Sequence, residues 1–187
     1  ISLLVSGGHT QIWEVMSGSK NKIMSTTLDD AAGEAFDKGA KMLGLSYPGG
    51  PEIEKYAQNG DFTKYDFTIP KIKKNPLNFS FSGIKTSLYY KLKDMSNLEI
   101  NVNLNNICAS YQEGILNILF NRLTMVLKNN SYNDIFNFVV HPWLPWAGYL
   151  IIYFSFAAGM SGEEGESPAV TVDLSWNMVR GQQPDEN

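Results

Sequence analysis

The stretch DDAAGEAFDK at residues 29–38 decides the fold, because it joins paired acids, small residues and the apolar spacing of a helix. Within residues 30–43 the apolar side chains recur at the 3.6-residue period of a helix that buries one face. Asp29 or Asp30 is suited to cap the start of this helix, and Gly44 is suited to end it. The sequence therefore predicts an amphipathic helix with its acids near the beginning.

Glycine-marked turns lie on both sides of this helix. Before it, residues 2–6 and 11–15 read as two strands of a hairpin joined by Gly7-Gly8-His9. After it, Pro48-Gly49-Gly50 is typical of a tight turn, and Pro51 suits the first position of a short helix over residues 51–58. Together with Gly44 at the end of the helix, these turns make three glycine-marked positions around one helix within about fifty residues.

Further elements follow along the chain. Residues 79–83, FSFSG, read as a strand-to-helix turn that leads into a helix over residues 84–93. A broad apolar stripe predicts a long helix over residues 105–128, and residues 134–140 read as a buried strand. Strands alternating with helices indicate an α/β or mixed fold.

The composition is that of a soluble globular protein that can bury a core. The chain has 187 residues, of which 43% are hydrophobic and 18% charged, with a formal net charge of −4. Cys108 is the single cysteine, which excludes an internal disulfide and favours a reducing compartment. The chain opens on an apolar run without a basic leader, so we expect no signal peptide.

The composition changes near residue 140. No lysine follows Lys128, and residues 139–187 carry six acids against Arg180 alone. Residues 146–160 are apolar enough to consider a membrane span, but the stretch is shorter than the roughly 20 residues that a bilayer requires. We therefore expect no membrane attachment, and we predict a domain over residues 1–140 followed by a different segment over residues 141–187.

The cluster around the first helix has a functional and a purely structural interpretation. Two glycines after the first strand could expose backbone amides to a phosphate or carboxylate, or could simply form a hairpin turn. Asp30, Gly33 and Asp37 fall on one side of the helix, where a carboxylate could accept hydrogen bonds from ribose hydroxyls. Acids on a solvated face are the alternative. With only His9 and His141 in the chain, the residues predict no complete metal site.

Lysines concentrate in the middle of the chain. Seven of them fall within thirty residues in which the only acid is Asp66, namely Lys64, Lys71, Lys73, Lys74, Lys85, Lys91 and Lys93. Such a patch would attract the phosphates of an RNA, although a solvated charged surface is the alternative. We find no stacking aromatics or RNA-binding signature beside it, which favours recognition of shape over recognition of bases.

These motifs, in this order, resemble the TsaD family of bacterial and mitochondrial tRNA threonylcarbamoyladenosine synthases, related to the archaeal and eukaryotic Kae-type proteins. The stretches that carry the resemblance are LLVSGGHTQ, DDAAGEAFDKGAKMLGLSYPGGPEIE and FSFSGIKTS, with ASYQ in the long helix. The similarity covers residues 1–140 and favours the bacterial-type branch. It implies an incomplete lobe of the actin-like ATPase and sugar-kinase (ASKHA) superfamily fold.

The resemblance implies transfer of the threonylcarbamoyl group from threonylcarbamoyl-AMP to N6 of adenosine 37 of tRNA. It assigns the adenylate to the first glycine motif, Leu4, Val5, Ser6, Gly7 and Gly8. It places Asp37 at the ribose and Gly50 at the adenine, with Glu54 as a weaker substrate-binding candidate. No catalytic residue is assigned. A peptidase activity, once attributed to the family, is not favoured, because no nucleophile–base pair or metalloprotease motif is present.

The resemblance also implies a cofactor, partners and a location. Family members use a bound metal, usually iron (Fe²⁺), whose histidine pair precedes the segment corresponding to Leu4 and whose aspartate ligand follows residue 140. The expected partners are tRNA, a paralogous non-catalytic TsaB-type subunit and a TsaE-type ATPase. The expected location is the cytoplasm of a bacterium, or the mitochondrial matrix in a eukaryote.

The sequence departs from the family pattern after residue 140. The family continues with a glycine-rich AGGVAAN segment, whereas this chain has HPWLPWA at residues 141–147. We expect residues 141–187 to be an aberrant or disordered tail, produced by a frameshift or a misjoined gene. The chain would then be inactive by itself. The alternative function is an inactive fragment that acts only as a nucleotide- or partner-binding module.

Overall fold

A computed structural model of the chain describes residues 1–14, 21–67, 72 and 75–129, together with two short strands nearer the carboxyl end. The elements, in chain order, are β1 Ser2–Val5, β2 Thr10–Glu14, β3 Lys22–Thr26, α1 Ala32–Met42, α2 Gly49–Ala57, α3 Ser82–Lys93, α4 Asn97–Asn129, β4 Ile152–Phe156 and β5 Val172–Trp176. The predicted mixture of helices and strands is confirmed. In the described part of the chain, however, three strands precede four helices, so the two types do not alternate.

The first three strands form one antiparallel sheet in the order β1-β2-β3. The predicted hairpin is confirmed, with Ser2 opposite Trp13 and Val5 opposite Thr10. Strand β3 was not predicted from the sequence. Only Ser25, near its end, is buried, and its first two residues are exposed. Such an edge strand shows little alternation of apolar and polar residues, which is the pattern that predicts a strand.

Helix α1 lies close to its predicted position, but the prediction that Asp29 or Asp30 caps it is wrong. The N-cap residue is Ala31, whose side chain makes no capping bond. The amide of Ala32 instead donates to Oγ1 of Thr10, 2.8 Å away on strand β2. A buried hydroxyl from the sheet thus satisfies a donor that a local acid was expected to satisfy.

The carboxyl end of α1 is as predicted. Gly44 adopts φ +72°, the left-handed conformation that favours glycine. The amide of Gly44 donates to the carbonyl of Lys41, and the amide of Leu45 donates to that of Ala40. These two bonds form a Schellman motif that satisfies the last carbonyls of the helix.

The predicted tight turn at residues 48–50 is wrong in detail. Helix α2 begins at Gly49 with Pro48 as its N-cap, so Gly49 and Gly50 already belong to the helix. Pro51 consequently lies in the first turn and not at the first position. A proline costs little there, because the amides of the first turn have no intrahelical acceptor.

Helix α4 begins eight residues earlier than predicted, because a capping box starts it. Oγ of Ser96 accepts the amide of Glu99, and Glu99 Oε2 accepts the amide of Ser96 at 2.8 Å. The predicted apolar stripe of α4 is confirmed, with Arg122 also buried within it. The phenol of Tyr111, at the centre of this stripe, donates to the carbonyl of Ala35 on α1 at 2.8 Å.

The core lies between the helices and one face of the sheet. Its largest fully buried side chains are Leu3, Ile12, Ile53, Phe79, Phe81, Ile84, Leu88, Ile107, Tyr111, Ile115, Ile118 and Leu119. Helix α3 begins at Ser82, two residues before its predicted start, after Phe79 has formed an isolated parallel bridge with Thr27. The single cysteine, Cys108, is also buried here.

Some predictions fall outside the described residues. The predicted strand at residues 134–140 and most of the segment 141–187 are among them, so both stay predictions. Within that segment, β4 and β5 pair as antiparallel strands. In the part of the chain that the structure describes, no helix is both long and apolar enough to cross a membrane.

Candidate functional site

The turn between β1 and β2 is exposed and internally hydrogen-bonded. The amide of Ser6 donates to the carbonyl of His9 at 2.8 Å, and Ser6 Oγ accepts the amides of Gly8 and His9 at 3.3 and 2.9 Å. A Cβ atom on Gly7 or on Gly8 would meet nothing within 4 Å. The serine hydroxyl thus fixes the shape of the turn, and open space lies above both glycines.

The start of helix α1 packs directly against this turn. The amide of Gly33 donates to the carbonyl of Ser6 at 3.2 Å. A Cβ atom on Gly33 would lie 2.7 Å from Cα of Gly7 and 2.8 Å from the carbonyl oxygen of Ser6, closer than real side chains come. Glycine at position 33 therefore allows the turn and the positive end of the helix dipole to meet.

Asp37, one turn further along α1, holds the beginning of α2. Its Oδ1 accepts the amide of Gly49 at 2.8 Å. A Cβ atom on Gly49 would lie 2.6 Å from Cα of Asp37, so this approach also requires glycine. The bond to Gly49 uses Oδ1 of the carboxylate.

Gly50 and Glu54 share a face of α2, because they are four residues apart. A Cβ atom on Gly50 would make only ordinary contact, 3.9 Å from Cβ of Phe36, so space remains beside it. Glu54 is half-buried, and burial raises the pKa of its carboxyl. The predicted residues thus lie at the end of β1 and in the turn after it, on α1 at Asp37, and on α2 at Gly50 and Glu54.

Asp30 does not join Asp37 as a free acid, as the shared face had suggested. Its carboxylate forms ion pairs with Lys38, at 2.8 Å, and with Lys85 of helix α3. Burial alone would raise the pKa of Asp30, but the two lysines outweigh burial and lower it. Asp30 therefore ties α1 to α3. Glu34, three residues before Asp37 on the same helix, pairs with Lys38 at 2.8 Å.

Asp29 has a similar connecting role. Its carboxylate accepts the hydroxyl of Ser80 at 2.5 Å and the amide of Phe81 at 2.8 Å. These partners lie about fifty residues away in the chain, in the turn that leads into α3. Asp29 hence holds the segment before α1 against the segment before α3, and Asp30 holds it against α3 itself.

The predicted lysine patch is only partly described. Lys71, Lys73 and Lys74 lie outside the described residues, Lys85 is paired with Asp30, and Nζ of Lys91 lies 4.9 Å from the ring centre of Tyr65.

A groove of about 630 Å³ opens between α1 and α3. It is lined by Lys38, Lys41, Met42, Ser82, Lys85, Thr86, Tyr89 and Tyr90.

This groove corrects one statement made from the sequence. Two exposed tyrosines, Tyr89 and Tyr90, do accompany the lysines. The signal that could have found them is their position on the predicted helix, because Tyr89 is four residues after Lys85 and so shares its face.

The described residues do not provide a metal site. Nowhere in residues 1–14, 21–67, 72 and 75–129 does a group of three or more histidine, cysteine, aspartate or glutamate side chains come together to hold a metal ion. His9, in the exposed turn, is accordingly placed as a surface residue. The turn offers exposed backbone and two glycines, and the start of α1 packs against it.

Comparison with known proteins identifies relatives over the same residues. Residues 1–140 match the TsaD family model, described as tRNA N6-adenosine threonylcarbamoyltransferase. Proteins of that name from Christiangramia forsetii and Thermosipho africanus are 46% and 44% identical over 138 and 135 residues, 72% of this chain and 40% of each relative. A third, from Nitratiruptor sp., is 49% identical over 114 residues, 61% of this chain and 34% of the relative.

Proposed function

This chain belongs to the TsaD family, and we propose that it serves in the transfer of a threonylcarbamoyl group to N6 of an adenosine in tRNA. The chain spans about 40% of the length of the curated relatives that it matches. The observation that carries the proposal is the close approach of Gly33 to the Ser6–Gly8 turn, which builds an open backbone site at a helix start.

The chemistry is acyl transfer from an adenylate. The exocyclic amine of adenosine attacks the carbonyl carbon of threonylcarbamoyl-AMP, forming a carbon–nitrogen bond. The bond from that carbon to the phosphate oxygen breaks, AMP leaves with the electron pair, and the amine loses a proton to solvent. The residues of this chain bind and orient the adenylate, and correct orientation removes much of the entropic barrier to such a reaction.

The turn after β1 is the proposed seat of the adenylate. The residues that we assign to it are Leu4, Val5, Ser6, Gly7 and Gly8. The open space above Gly7 and Gly8 supports this assignment, because a ligand can approach the backbone there without meeting a side chain. The beginning of α1 beneath the turn favours the negative charge of the phosphate through its dipole and its first amides.

The other half of the adenylate would lie along α1 and α2. We assign the ribose to Asp37, since its Oδ1 is held by Gly49 and Oδ2 can accept a ribose hydroxyl. We assign the adenine to the space beside Gly50, with Glu54 on the same face of α2. Burial raises the pKa of the Glu54 carboxyl, which is consistent with a partly desolvated site on this face.

The finer features of the family are also proposals for this chain. They are the ASKHA superfamily fold, iron, a TsaB-type subunit, a TsaE-type ATPase and a cytoplasmic location. Family membership supports all of them. Among the described residues, no group of three or more histidine, cysteine, aspartate or glutamate side chains could hold a metal ion. The acyl transfer described above therefore includes no step on iron.

Titration of the chain with AMP tests the proposal. The Asp37→Asn variant keeps an oxygen for the amide of Gly49 but loses the charge, so we expect AMP binding to weaken about tenfold to hundredfold. Asp66→Asn, which changes an exposed acid, is the matched control. Equal affinity of the Asp37→Asn variant and the unchanged chain, or no binding of AMP at millimolar concentration, would contradict the site.

Transfer itself is tested by complementation of a strain that lacks threonylcarbamoyladenosine. We expect residues 1–187 alone to fail, because they span about 40% of the length of the curated relatives. Mass spectrometry of the nucleosides measures the outcome. Binding of AMP without transfer supports the alternative of a nucleotide-binding module, whereas restored modification contradicts the expectation that the chain alone is inactive.

A further inference from the structure

We propose that the groove between α1 and α3 binds a single-stranded segment of RNA, with lysines at the phosphates and tyrosines against unstacked bases. The proposal rests on the proposed function in one respect, that the substrate is an RNA. It concerns a surface different from the adenylate site, because the residues lining the groove include none of those assigned to the adenylate.

The charge of the groove comes from three lysines and two acids. Lys38 and Lys85 are both held by Asp30, and Lys38 also pairs with Glu34. Lys41, one turn beyond Lys38 on α1, is exposed and has no ion pair with any residue that the structure describes. The groove therefore carries one net positive charge, and Asp30 fixes two of its three ammonium groups in place.

The fixed lysines keep donors for an anion. Each ammonium group has three N–H donors, and Lys85 uses one of them on Asp30. A preordered cation loses less side-chain freedom when a phosphate binds, so more of the attraction appears as affinity. The hydroxyls of Ser82 and Thr86 line the same wall and add polar partners.

The aromatic residues are what distinguish RNA from a simple anion. Tyr89 and Tyr90 are 54% and 58% exposed, and their ring centres lie 5.5 Å apart at 71°. Met42, 39% exposed, adds apolar surface beside them. Bases of single-stranded nucleic acids stack on such exposed rings, and a groove that combines them with cations is the usual design of single-strand sites.

The polar and aromatic groups of the groove are ordered along α3. Residues of an α-helix rise about 1.5 Å each, so Tyr89 lies about 10 Å along α3 from Ser82. Polar groups occupy the beginning of this length, and aromatic groups its end. A backbone that follows the helix would thus meet hydroxyls and lysines first and place its bases near the tyrosines.

Fluorescence anisotropy with a labelled single-stranded RNA oligonucleotide tests the proposal on the full chain. The double variant Tyr89→Ala/Tyr90→Ala is expected to bind about 5-fold to 150-fold more weakly, the range measured for loss of base stacking. Lys41→Glu is expected to weaken binding and to reduce the slope of log affinity against log salt by about 0.7 for each phosphate that the variant no longer neutralises.

Matched controls separate the groove from general surface effects. Lys22→Glu reverses an exposed lysine on β3, and Phe62→Ala removes an exposed ring away from the groove. Both should bind RNA as the unchanged chain does, and circular dichroism melting should show all variants folded. Equal affinity of the groove variants and the controls overturns the proposal.

The remaining outcomes are also decisive. Tighter binding of polyglutamate or of inorganic phosphate than of the RNA would overturn the proposal in favour of an acidic protein partner or a small anion. If the unchanged chain binds AMP but not RNA, the RNA groove is contradicted and the adenylate site is not. If it binds RNA in the groove but not AMP, only the proposed function is contradicted.

Discussion

Helix α1 takes part in two regions that are built on opposite principles. At its start, the contact with the Ser6–Gly8 turn is made by backbone and glycine, with atoms as close as packing allows. On its side toward α3, long charged and aromatic side chains line an open groove. The first region depends on glycines, which have no side chain. The second depends on the long side chains of lysines and tyrosines that extend into solvent.

The difference teaches which region tolerates change. A backbone contact has no freedom to adjust, so an added methyl group must displace the turn or the helix. Exposed side chains can be exchanged with little effect on folding, because each is solvated in the folded and the unfolded chain. Substitutions in the first region should therefore alter stability and binding together, whereas substitutions of the exposed side chains of the groove should alter binding alone.

The largest effect is expected for Gly33→Ala. Its Cβ atom would lie 2.7 Å from Cα of Gly7, and overpacking of this kind costs about 1–3 kcal/mol. Urea unfolding should show a loss near the upper end of this range, and AMP affinity should fall with it. Gly8→Ala is the control for stability, since its Cβ atom would meet nothing within 4 Å. A loss of stability in the Gly8→Ala variant as large as that in Gly33→Ala would contradict the packing explanation.

The next effect tests the link between the two regions at Asp30. Because the lysines lower the pKa of Asp30 in the folded chain, its ion pairs stabilise the fold above about pH 4, the unfolded value, and less as the pH falls below it. Asp30→Asn should cost about 2 kcal/mol at pH 7 and progressively less toward pH 2. Urea unfolding across that range measures it, and a cost independent of pH would contradict the electrostatic origin.

A smaller effect is expected for Thr10→Val at the start of α1. The substitution keeps the shape of a fully buried side chain but removes the acceptor for the amide of Ala32, at a cost of about 1 kcal/mol. Thermal unfolding measures the loss. Ser96→Ala, which removes an exposed cap from α4, offers a comparison of a buried cap with a solvated one. A Thr10→Val variant as stable as the unchanged chain would refute the capping role.

The smallest effect belongs to the groove. Lys41→Ala removes an exposed side chain without an ion pair among the described residues, so stability should stay within about 0.5 kcal/mol. RNA affinity should nevertheless fall, which anisotropy detects. A loss of stability comparable to that of Gly33→Ala would erase the contrast between the two regions.

Local patterns predicted the parts of the fold that local forces determine. The hairpin, helix α1 with its end at Gly44, and the apolar stripe of α4 followed from periodicity and turn chemistry. The early start of α4 could also have been predicted, because Ser96 and Glu99 have the spacing of a capping box. Strand β3 could not, since its pairing with β2 and not its own composition makes it a strand.

The errors arose where distant residues outweighed a local preference. Asp29 and Asp30 are good cap residues, but they bind Ser80, Phe81 and Lys85, which a sequence pattern does not place beside them. The residues proposed for the adenylate came from the family motif and stay a proposal; the structure shows that Ser6 contacts Gly33 and that Asp37 contacts Gly49. Their contacts depend on tertiary packing at Gly33 and Gly49 that no local rule supplies.

The buried thiol of Cys108 can report how often the core of the chain opens. Burial raises the pKa of this thiol to about 12, so at neutral pH it is both shielded and protonated. A thiol reagent can react only after the contacts around α4 have opened, and the chain has no second cysteine to obscure the signal. The rate of alkylation of Cys108 therefore measures how readily the core becomes exposed. The same measurement can be made with and without AMP or RNA bound.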